Sequence, residues 1–123
     1  MNLSEFILVV DDEEGALNLL SRFLKLNHFP VKTAKNGKEA LESIKTAQPK
    51  LVILDVKMPE MNGIETLKWI RENRPDIKVI MLSAAGQQEI VEESFSLGAQ
   101  GFITKPMDLK LLLSKINSIL GTG

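Results

Sequence analysis

The chain contains no cysteine and no tyrosine, and it has one histidine and one tryptophan among its 123 residues. Without cysteine it can form neither disulfides nor zinc sites with thiolate ligands. A chain free of cysteine suits a reducing compartment, and we expect a cytoplasmic protein.

Long apolar runs and an excess of one charge are also absent. The apolar run near the start, residues 6–10, is far shorter than the ~20 residues that a membrane helix needs. Glu5, Asp11 and Asp12 beside it are unlike a signal peptide. The 15 basic and 16 acidic residues give a net charge of −1, and lysine and arginine are scattered. We therefore expect no membrane contact and no direct binding of nucleic acid.

The composition is typical of one globular domain, with 44% hydrophobic and 25% charged residues. A chain of this length buries roughly two thirds of the surface that it exposes when unfolded. We expect residues 1–123 to form a single domain with one core.

Five short apolar segments predict β-strands. Most lack polar alternation, which is typical of strands buried on both faces of a parallel sheet. The second segment alternates polar and apolar residues, as expected of an edge strand. The five segments are Phe6–Val10, Val31–Ala34, Leu51–Leu54, Val79–Leu82 and Gly101–Thr104.

Segments with helical spacing of apolar residues follow each strand. Asn36 and Asn62 each precede a glutamate by three residues, which predicts helix N-caps, and Asp108 can cap the last helix. The Asn-Gly pairs at 36–37 and 62–63 could instead form hairpin turns, but the helical periodicity after them favours caps. Strict alternation predicts a doubly wound α/β domain, (βα)5, with a five-stranded parallel sheet between two helical layers.

Polar residues follow four of the predicted strands. Asp11 and Asp12 come after the first strand, Asp55 after the third, Ser83 after the fourth and Lys105 after the fifth. Ligands of doubly wound sheets bind beyond the carboxyl ends of the strands. We therefore expect these side chains to meet at one edge of the sheet.

The three aspartates predict a divalent cation site. Carboxylates ~4 Å apart repel each other by roughly 4 kcal/mol per pair at an effective dielectric constant of ~20, and a cation relieves this repulsion. Oxygen ligands without histidine or cysteine favour Mg²⁺, which is commonly shared with substrate phosphates. The backbone carbonyl of Lys57 is near enough in sequence to complete the metal shell.

Phosphoryl transfer is the reaction that this set of residues favours. It requires a nucleophile, a cation and fixed positive charge for the phosphoryl oxygens. Asp55, Mg²⁺ and Lys105 can supply these three, and Ser83 can donate a hydrogen bond to a phosphoryl oxygen.

Four segments resemble the receiver domains of bacterial response regulators, including the single-domain receivers of chemotaxis and sporulation. They are VVDDE at 9–13, LDVKMPEMNG at 54–63, LSA at 82–84 and GAQGFITKP at 98–106. The resemblance extends over essentially the whole chain. It implies a flavodoxin-like sheet of strand order 2-1-3-4-5 and a cis peptide bond between Lys105 and Pro106.

The resemblance also implies a role for each residue of the acidic site. Asp55 would accept a phosphoryl group from the phosphohistidine of a sensor histidine kinase or a histidine phosphotransferase. Asp11, Asp12, Asp55 and the Lys57 carbonyl would hold Mg²⁺, and Lys105 would pair with the phosphoryl group. The chain would then be a phosphoacceptor switch rather than an enzyme.

A switch residue and a docking surface complete what the resemblance implies. Ser83 would move inward to the phosphoryl group and Phe102 would turn into the vacated space, which changes the surface around the last two helices and the last strand. The recipient would be a downstream protein or a covalently linked output domain. The kinase or phosphotransferase would dock on an apolar edge, for which ordinary helix packing is the alternative: Gly15, Ala16, Leu19, Pro106 and Met107.

Other functions fit the sequence less well. A phosphohydrolase of the haloacid dehalogenase kind needs a second aspartate two residues after the nucleophile, where this chain has Lys57. A dinucleotide-binding module needs a glycine-rich loop where residues 11–14 are acidic. A receiver-shaped module that never binds phosphate is disfavoured by the acidic residues and Lys105. A receiver fragment of a larger transcriptional regulator stays open.

Overall fold

The computed structural model describes residues 6–58, 61–84 and 87–121. Five strands alternate with five helices, as the apolar pattern predicts. The elements are β1 (Ile7–Val10), α1 (Glu14–Leu26), β2 (Val31–Ala34), α2 (Gly37–Thr46), β3 (Leu51–Asp55), α3 (Gly63–Asn73), β4 (Lys78–Ala84), α4 (Gln88–Ser96), β5 (Gly101–Lys105) and α5 (Leu109–Leu120).

The five strands form one parallel sheet in the order β2-β1-β3-β4-β5. This is the order that the resemblance implies, and it places β2 at an edge as predicted. The chain crosses from β2 over β1 to reach β3, so the strand order switches between β1 and β3. Ligands of doubly wound sheets bind at such a switch point.

Hydrophobic side chains cover both faces of the sheet, because successive strand residues point to opposite sides. Ile7 and Val9 of β1 belong to a cluster that includes buried residues of α1 and α5. Leu8 and Val10 belong to a second cluster with buried residues of α2 and α3. The result is the predicted three-layer arrangement of helices, sheet and helices. Because the sheet separates the two helical layers, there is one hydrophobic cluster on each of its faces rather than the single core expected from the length.

The predicted N-caps are confirmed, and the hairpin alternative for the Asn-Gly pairs is wrong. The side chain of Asn36 accepts the amide of Glu39, and Asn62 and Glu65 form a reciprocal capping box. Asp108 accepts the amides of the first turn of α5. These caps define where the loops at the carboxyl edge of the sheet end.

The fourth helix exists as predicted, but one residue of its predicted apolar face is exposed. The helical spacing of Ile90, Val91 and Phe95 in the sequence predicts that this face turns to the core. Ile90 does pack against the core, whereas Phe95 is exposed and Ser94 is the buried residue. The Ser94 hydroxyl donates to the carbonyl of Ile90 at 2.8 Å, which satisfies this polar group inside the fold.

Three strands extend further than the apolar runs suggest. β3, β4 and β5 include Asp55, Ser83 and Lys105 as their last or penultimate residues. Sheet pairing therefore continues through residues that hydrophobicity alone assigns to loops. Across the part of the chain that is described, no helix is long and apolar enough to cross a membrane.

Candidate functional site

Strand register brings the predicted polar residues to one edge of the sheet. Val10 of β1 lies beside Leu54 of β3, so that the next residues, Asp11 and Asp55, follow neighbouring strands. Asp55 in turn lies beside Leu82, the residue before Ser83. Lys105 ends β5 on the far side of β4.

Asp11, Asp12 and Asp55 form the predicted acidic cluster. One carboxylate oxygen from each residue lies within 4.8 Å of the others. Asp11 is 2% exposed and Asp55 is 6% exposed, while Asp12 faces solvent. Two buried carboxylates and one exposed carboxylate thus converge at the switch point of the sheet.

Lys105 bridges the two buried carboxylates. Its Nζ atom lies 3.1 Å from Oδ2 of Asp11 and 3.2 Å from Oδ2 of Asp55. The other oxygens accept backbone amides, from Glu13 to Asp11 at 2.9 Å and from Lys57 to Asp55 at 3.3 Å. Each buried carboxylate is therefore held by the shared ammonium group and by the loop that follows its own strand.

The environment of Asp55 favours the protonated, neutral carboxyl group more than bulk water does. Burial and the nearby charge of Asp11 raise the pKa of Asp55 from 3.8 to about 6, although Lys105 and the Lys57 amide lower it. Burial alone would lower the pKa of Lys105, but its hydrogen bond to Asp11 and the charges of Asp55 and Asp11 raise it. Near neutral pH the site therefore combines a carboxylate at Asp55 with an ammonium group at Lys105.

The donor set fits a small divalent cation. Ligands on an octahedron with Mg–O distances of about 2.1 Å are about 3 to 4 Å apart, and the three carboxylate oxygens lie within 4.8 Å of one another. A modest contraction of the cluster would match that geometry. Carboxylates without histidine or cysteine are typical of Mg²⁺ sites rather than of zinc or copper sites.

The cluster opens into a cavity of about 240 Å³. Six of its lining residues are predicted site residues, and Glu13, Ala84 and Gln87 are not. Glu13 directly follows the acidic pair, a position that could have suggested it. Gln87 had no signal in the sequence, because its place depends on where α4 begins. The lining residues are Asp11, Asp12, Glu13, Asp55, Lys57, Ser83, Ala84, Gln87 and Lys105.

Comparison with known proteins gives the family. The sequence profile described as "Response regulator receiver domain" matches residues 7–117. The chain belongs to this family. Receiver domains are the phosphoacceptor switches of two-component signalling, and membership of this family favours that function over the phosphohydrolase and dinucleotide-binding alternatives.

Relatives of this receiver domain include whole single-domain proteins. The chemotaxis protein CheY of Bacillus subtilis is 40% identical over 115 residues, which cover 93% of this chain and 96% of CheY. The sporulation initiation phosphotransferase F of the same organism is 35% identical over 118 residues, which cover 96% of this chain and 95% of that protein.

Other relatives are longer proteins. The alkaline phosphatase synthesis transcriptional regulatory protein PhoP of Bacillus subtilis is 35% identical over 118 residues, but this receiver domain spans only 49% of its length. Among solved structures, the receiver domain of NtrX from Brucella abortus has a TM-score of 0.90 at 31% identity, covering 95% of this chain and 99% of that one.

Two further predicted features of the receiver domain lie on β5 and directly after it. The peptide bond between Lys105 and Pro106 is cis. Phe102 is half-buried in β5 beside Met81 and packs on the cluster that includes α2 and α3. The segment quoted at 54–63 includes residues 59 and 60, which lie outside the described residues.

The predicted docking residues fall on α1 and on the loop before α5. Leu19 is 55% exposed on α1, and Gly15 near the start of that helix is also exposed. Ala16 is half-buried, and Met107 packs at the edge of the core cluster shared by α1 and α5. Pro106 is exposed. Their role in docking stays a prediction from the resemblance.

Proposed function

We propose that this receiver domain accepts a phosphoryl group on Asp55 in a Mg²⁺-dependent reaction and thereby switches a protein-binding surface. The observation that carries the proposal is the setting of Asp55. Its buried carboxylate ends a central strand between the carboxylate of Asp11 and the ammonium group of Lys105. A nucleophile, metal ligands and a fixed cation are thereby assembled in one cavity.

Asp11, Asp12 and Asp55 would hold Mg²⁺, together with the backbone carbonyl of Lys57. When bound, the ion supplies positive charge that offsets the charges of the carboxylates and of the incoming phosphoryl oxygens. The convergence of three carboxylates supports this role. Lys57 lines the same cavity, which supports a place for its carbonyl in the metal shell.

Asp55 would act as the nucleophile. A carboxylate oxygen of Asp55 attacks the phosphorus of a phosphohistidine, the O–P bond forms, and the N–P bond to the imidazole breaks. The pKa of Asp55 is about 6, so the nucleophilic carboxylate predominates at neutral pH. Burial also leaves this carboxylate less solvated than a surface aspartate, so less water must be removed before attack.

Lys105 and Ser83 would hold the phosphoryl group once it is formed. The ammonium group of Lys105 already contacts Oδ2 of Asp55 at 3.2 Å and can pair with a phosphoryl oxygen added there. Ser83 lines the same cavity and can donate its hydroxyl proton. The domain would in this way assist its own phosphorylation and dephosphorylation without turning over a separate substrate.

The switch would pass from Ser83 to Phe102. A phosphoryl group adds about −1.5 to −2 charge and three acceptor oxygens, which draw the Ser83 hydroxyl inward. Phe102 lies on the strand beside Ser83 and is only half-buried, so its ring can turn into the space that Ser83 leaves. The surface formed by α4, β5 and α5 would change as a result.

The proposed partners are a phosphate donor and a recipient of the signal. The donor is a sensor histidine kinase or a histidine phosphotransferase that docks on Gly15, Ala16, Leu19, Pro106 and Met107. The recipient is a downstream protein or a linked output domain. A cytoplasmic location stays a prediction from the sequence.

Incubation with acetyl phosphate and Mg²⁺, followed by intact-mass measurement, tests the proposal. We expect one added phosphoryl group on the native chain, and none when EDTA removes the metal. Asp55→Asn removes the nucleophile and should prevent labelling. Glu92→Gln on the exposed face of α4 is the matched control and should be labelled normally. Equal labelling of Asp55→Asn and the native chain would show that Asp55 is not the acceptor.

A further inference from the structure

The hydroxyl group of Ser83 is already engaged in a hydrogen bond that the phosphoryl switch does not account for. Ser83 Oγ donates to Oε1 of Gln87, and it also lies 3.4 Å from the carbonyl oxygen of Ala84. The residue is 2% exposed. A serine hydroxyl has a single proton to donate, so a proton directed at Gln87 is unavailable to a phosphoryl oxygen.

Gln87 occupies a position between the acidic cavity and α4. It lines the cavity that contains Asp55 and Lys105. It is also the N-cap residue of α4, and its side chain makes no capping hydrogen bond to the helix. The side-chain amide of Gln87 is therefore directed toward Ser83 and not toward the first turn of α4.

Space exists for the Gln87 side chain to move away from Ser83. Gln87 also lines a groove of about 430 Å³ between α4 and the loop after β3. The groove offers polar partners, Asn62 and Lys57, as well as the apolar side chains of Met58 and Ile64. An amide that leaves Ser83 would thus enter a space that can accept both its methylene groups and its polar end.

We propose that Gln87 is a positioning residue that holds the Ser83 hydroxyl away from the phosphoryl position in the unphosphorylated domain and releases it when Asp55 is phosphorylated. The inference rests on the proposed function. It adds that the side-chain oxygen of Gln87 competes with the phosphoryl group for the proton of the Ser83 hydroxyl. Binding of a phosphoryl group must break the Ser83–Gln87 hydrogen bond before Ser83 can turn inward. Gln87 therefore weakens the response to phosphorylation and keeps the switch in its resting state.

The release of Gln87 would reach α4 directly. The Gln87 carbonyl accepts the amides of Ile90 and Val91, both at 3.1 Å, so its backbone is part of the first turn of the helix. Within Gln88–Ser96, Ser94 is the buried residue, and the helix is otherwise exposed or half-buried. A helix with so little buried surface has little to resist a shift of its first turn.

The test compares Gln87→Met with Gln88→Met. Methionine keeps the length of glutamine but accepts hydrogen bonds only weakly, and Gln88 is the exposed neighbour on α4. Each chain is titrated with beryllofluoride, a phosphoryl mimic, in excess Mg²⁺. We expect Gln87→Met to bind the mimic about threefold to tenfold more tightly than the native chain, because the competing hydrogen bond is gone. Gln88→Met should bind with native affinity.

NMR of the chains without the mimic gives a second readout. We expect the amide resonances of Ser83 and Phe102 in Gln87→Met to lie part of the way toward their positions in the mimic-bound native chain. Gln87→Glu retains acceptor oxygens and offers no donor. Its added charge can shift nearby resonances, but those of Ser83 and Phe102 should not move toward their mimic-bound positions. This separates release of the serine hydroxyl from simple loss of packing at residue 87.

The outcomes separate the two proposals. If the native chain fails to bind beryllofluoride with Mg²⁺, the proposed function and this inference both fail. If the native chain binds but Gln87→Met binds equally or more weakly, the function stands and the role of Gln87 is wrong. Movement of the Ser83 resonances toward their mimic-bound positions in Gln87→Glu, as far as in Gln87→Met, would also overturn it, because an acceptor oxygen at residue 87 would then not hold the hydroxyl.

Discussion

Gly63 lies against the backbone of Asp55 with no room for a side chain between them. A Cβ atom on Gly63 would overlap the carbonyl oxygen of Asp55 and would lie 2.7 Å from Cα of Val56. The Gly63 amide also donates to the Val56 carbonyl at 2.9 Å. The first residue of α3 therefore holds in place the end of the strand that carries Asp55.

Gly63→Ala should destabilise the fold and disturb the acidic site. Overpacking against backbone costs about 1 to 3 kcal/mol, and relief of the overlap must displace Asp55 or the start of α3. We expect a lower unfolding midpoint in urea and weaker Mg²⁺ binding in calorimetric titrations.

Gly15→Ala is the control for this substitution. An added Cβ at Gly15, in the first turn of α1, would meet no heavy atom within 4 Å among the described residues outside its own helix and neighbours. Alanine is preferred to glycine in a helix by roughly 0.5 to 1 kcal/mol, so this variant should be slightly more stable than the native chain. Equal stability of the two variants would contradict the packing that we describe at Gly63.

Asp55→Asn should stabilise the metal-free domain at neutral pH. The pKa of Asp55 is raised from 3.8 to about 6, so folding favours its protonated form. The stability that this group contributes is complete below about pH 4 and is lost as the pH rises through about 6. Asparagine keeps the shape without the charge and therefore avoids that loss.

Thermal unfolding in EDTA across this pH range measures the effect. We expect the melting temperature of Asp55→Asn to exceed that of the native chain at neutral pH, with a difference that shrinks toward zero near pH 4. Glu92→Gln, which removes an exposed carboxylate, should show little change at either pH. A difference for Asp55→Asn that is constant with pH would rule out titration of Asp55 as its cause.

Lys105→Ala should separate phosphoryl binding from the surface change. The cation that contacts Asp11 and Asp55 at 3.1 and 3.2 Å would be lost, while all three carboxylates for Mg²⁺ remain. We expect Mg²⁺ binding to be largely kept and the NMR shift change of Phe102 on addition of beryllofluoride to be lost. Lys110→Ala on the exposed side of α5 should behave like the native chain, and a full Phe102 response in Lys105→Ala would refute the relay.

Leu19→Ala should slow phosphotransfer from a histidine kinase. Leu19 is 55% exposed on α1, and Leu26 at the end of the same helix is 74% exposed. Truncation of a residue that contributes strongly to an interface costs about 1 to 2 kcal/mol, which is about a fivefold to thirtyfold loss of affinity.

The measurement uses a phosphorylated kinase domain that a screen shows to label the native chain. We expect Leu19→Ala to be labelled more slowly and Leu26→Ala at the native rate. Labelling by acetyl phosphate should be unchanged in both variants, since it needs no docked protein. Equal kinase rates for the two variants would place the docking surface elsewhere.

Much of the fold could be predicted because its signals are local. The five apolar runs lie within the five strands or, at Phe6, beside one, and the caps at Asn36, Asn62 and Asp108 involve contacts within three residues. Phe95 shows the limit of this reasoning. Helical periodicity assigns it to the core, but α4 packs through Ile90 and Ser94, because the neighbouring elements decide which face of a helix is buried.

The residues of the candidate site also fall into two groups, those that the sequence predicts and those that only the structure shows. Its acidic residues, Ser83 and Lys105 could be found from the ends of the strands, since polar residues there stand out against apolar runs. Gln87 could not, because no pattern in the sequence indicates which side chain at the start of α4 reaches Ser83. In the sequence, Gly63 is recognised only as the residue after the N-cap Asn62. Its close approach to the backbone of Asp55 is visible only in the three-dimensional structure.

The sequence by itself determined the alternation of strands and helices, the burial of the sheet and the residue types available at its carboxyl edge, because these depend on residues near one another in the chain. Tertiary structure alone decided that Asp55 lies beside Asp11 and that Lys105 bridges them across 94 and 50 positions of sequence. The physical reason is the strand order. Hydrophobic runs require a buried parallel sheet, but the packing of the helices on both faces determines which strands become neighbours, and hence which charges share the site.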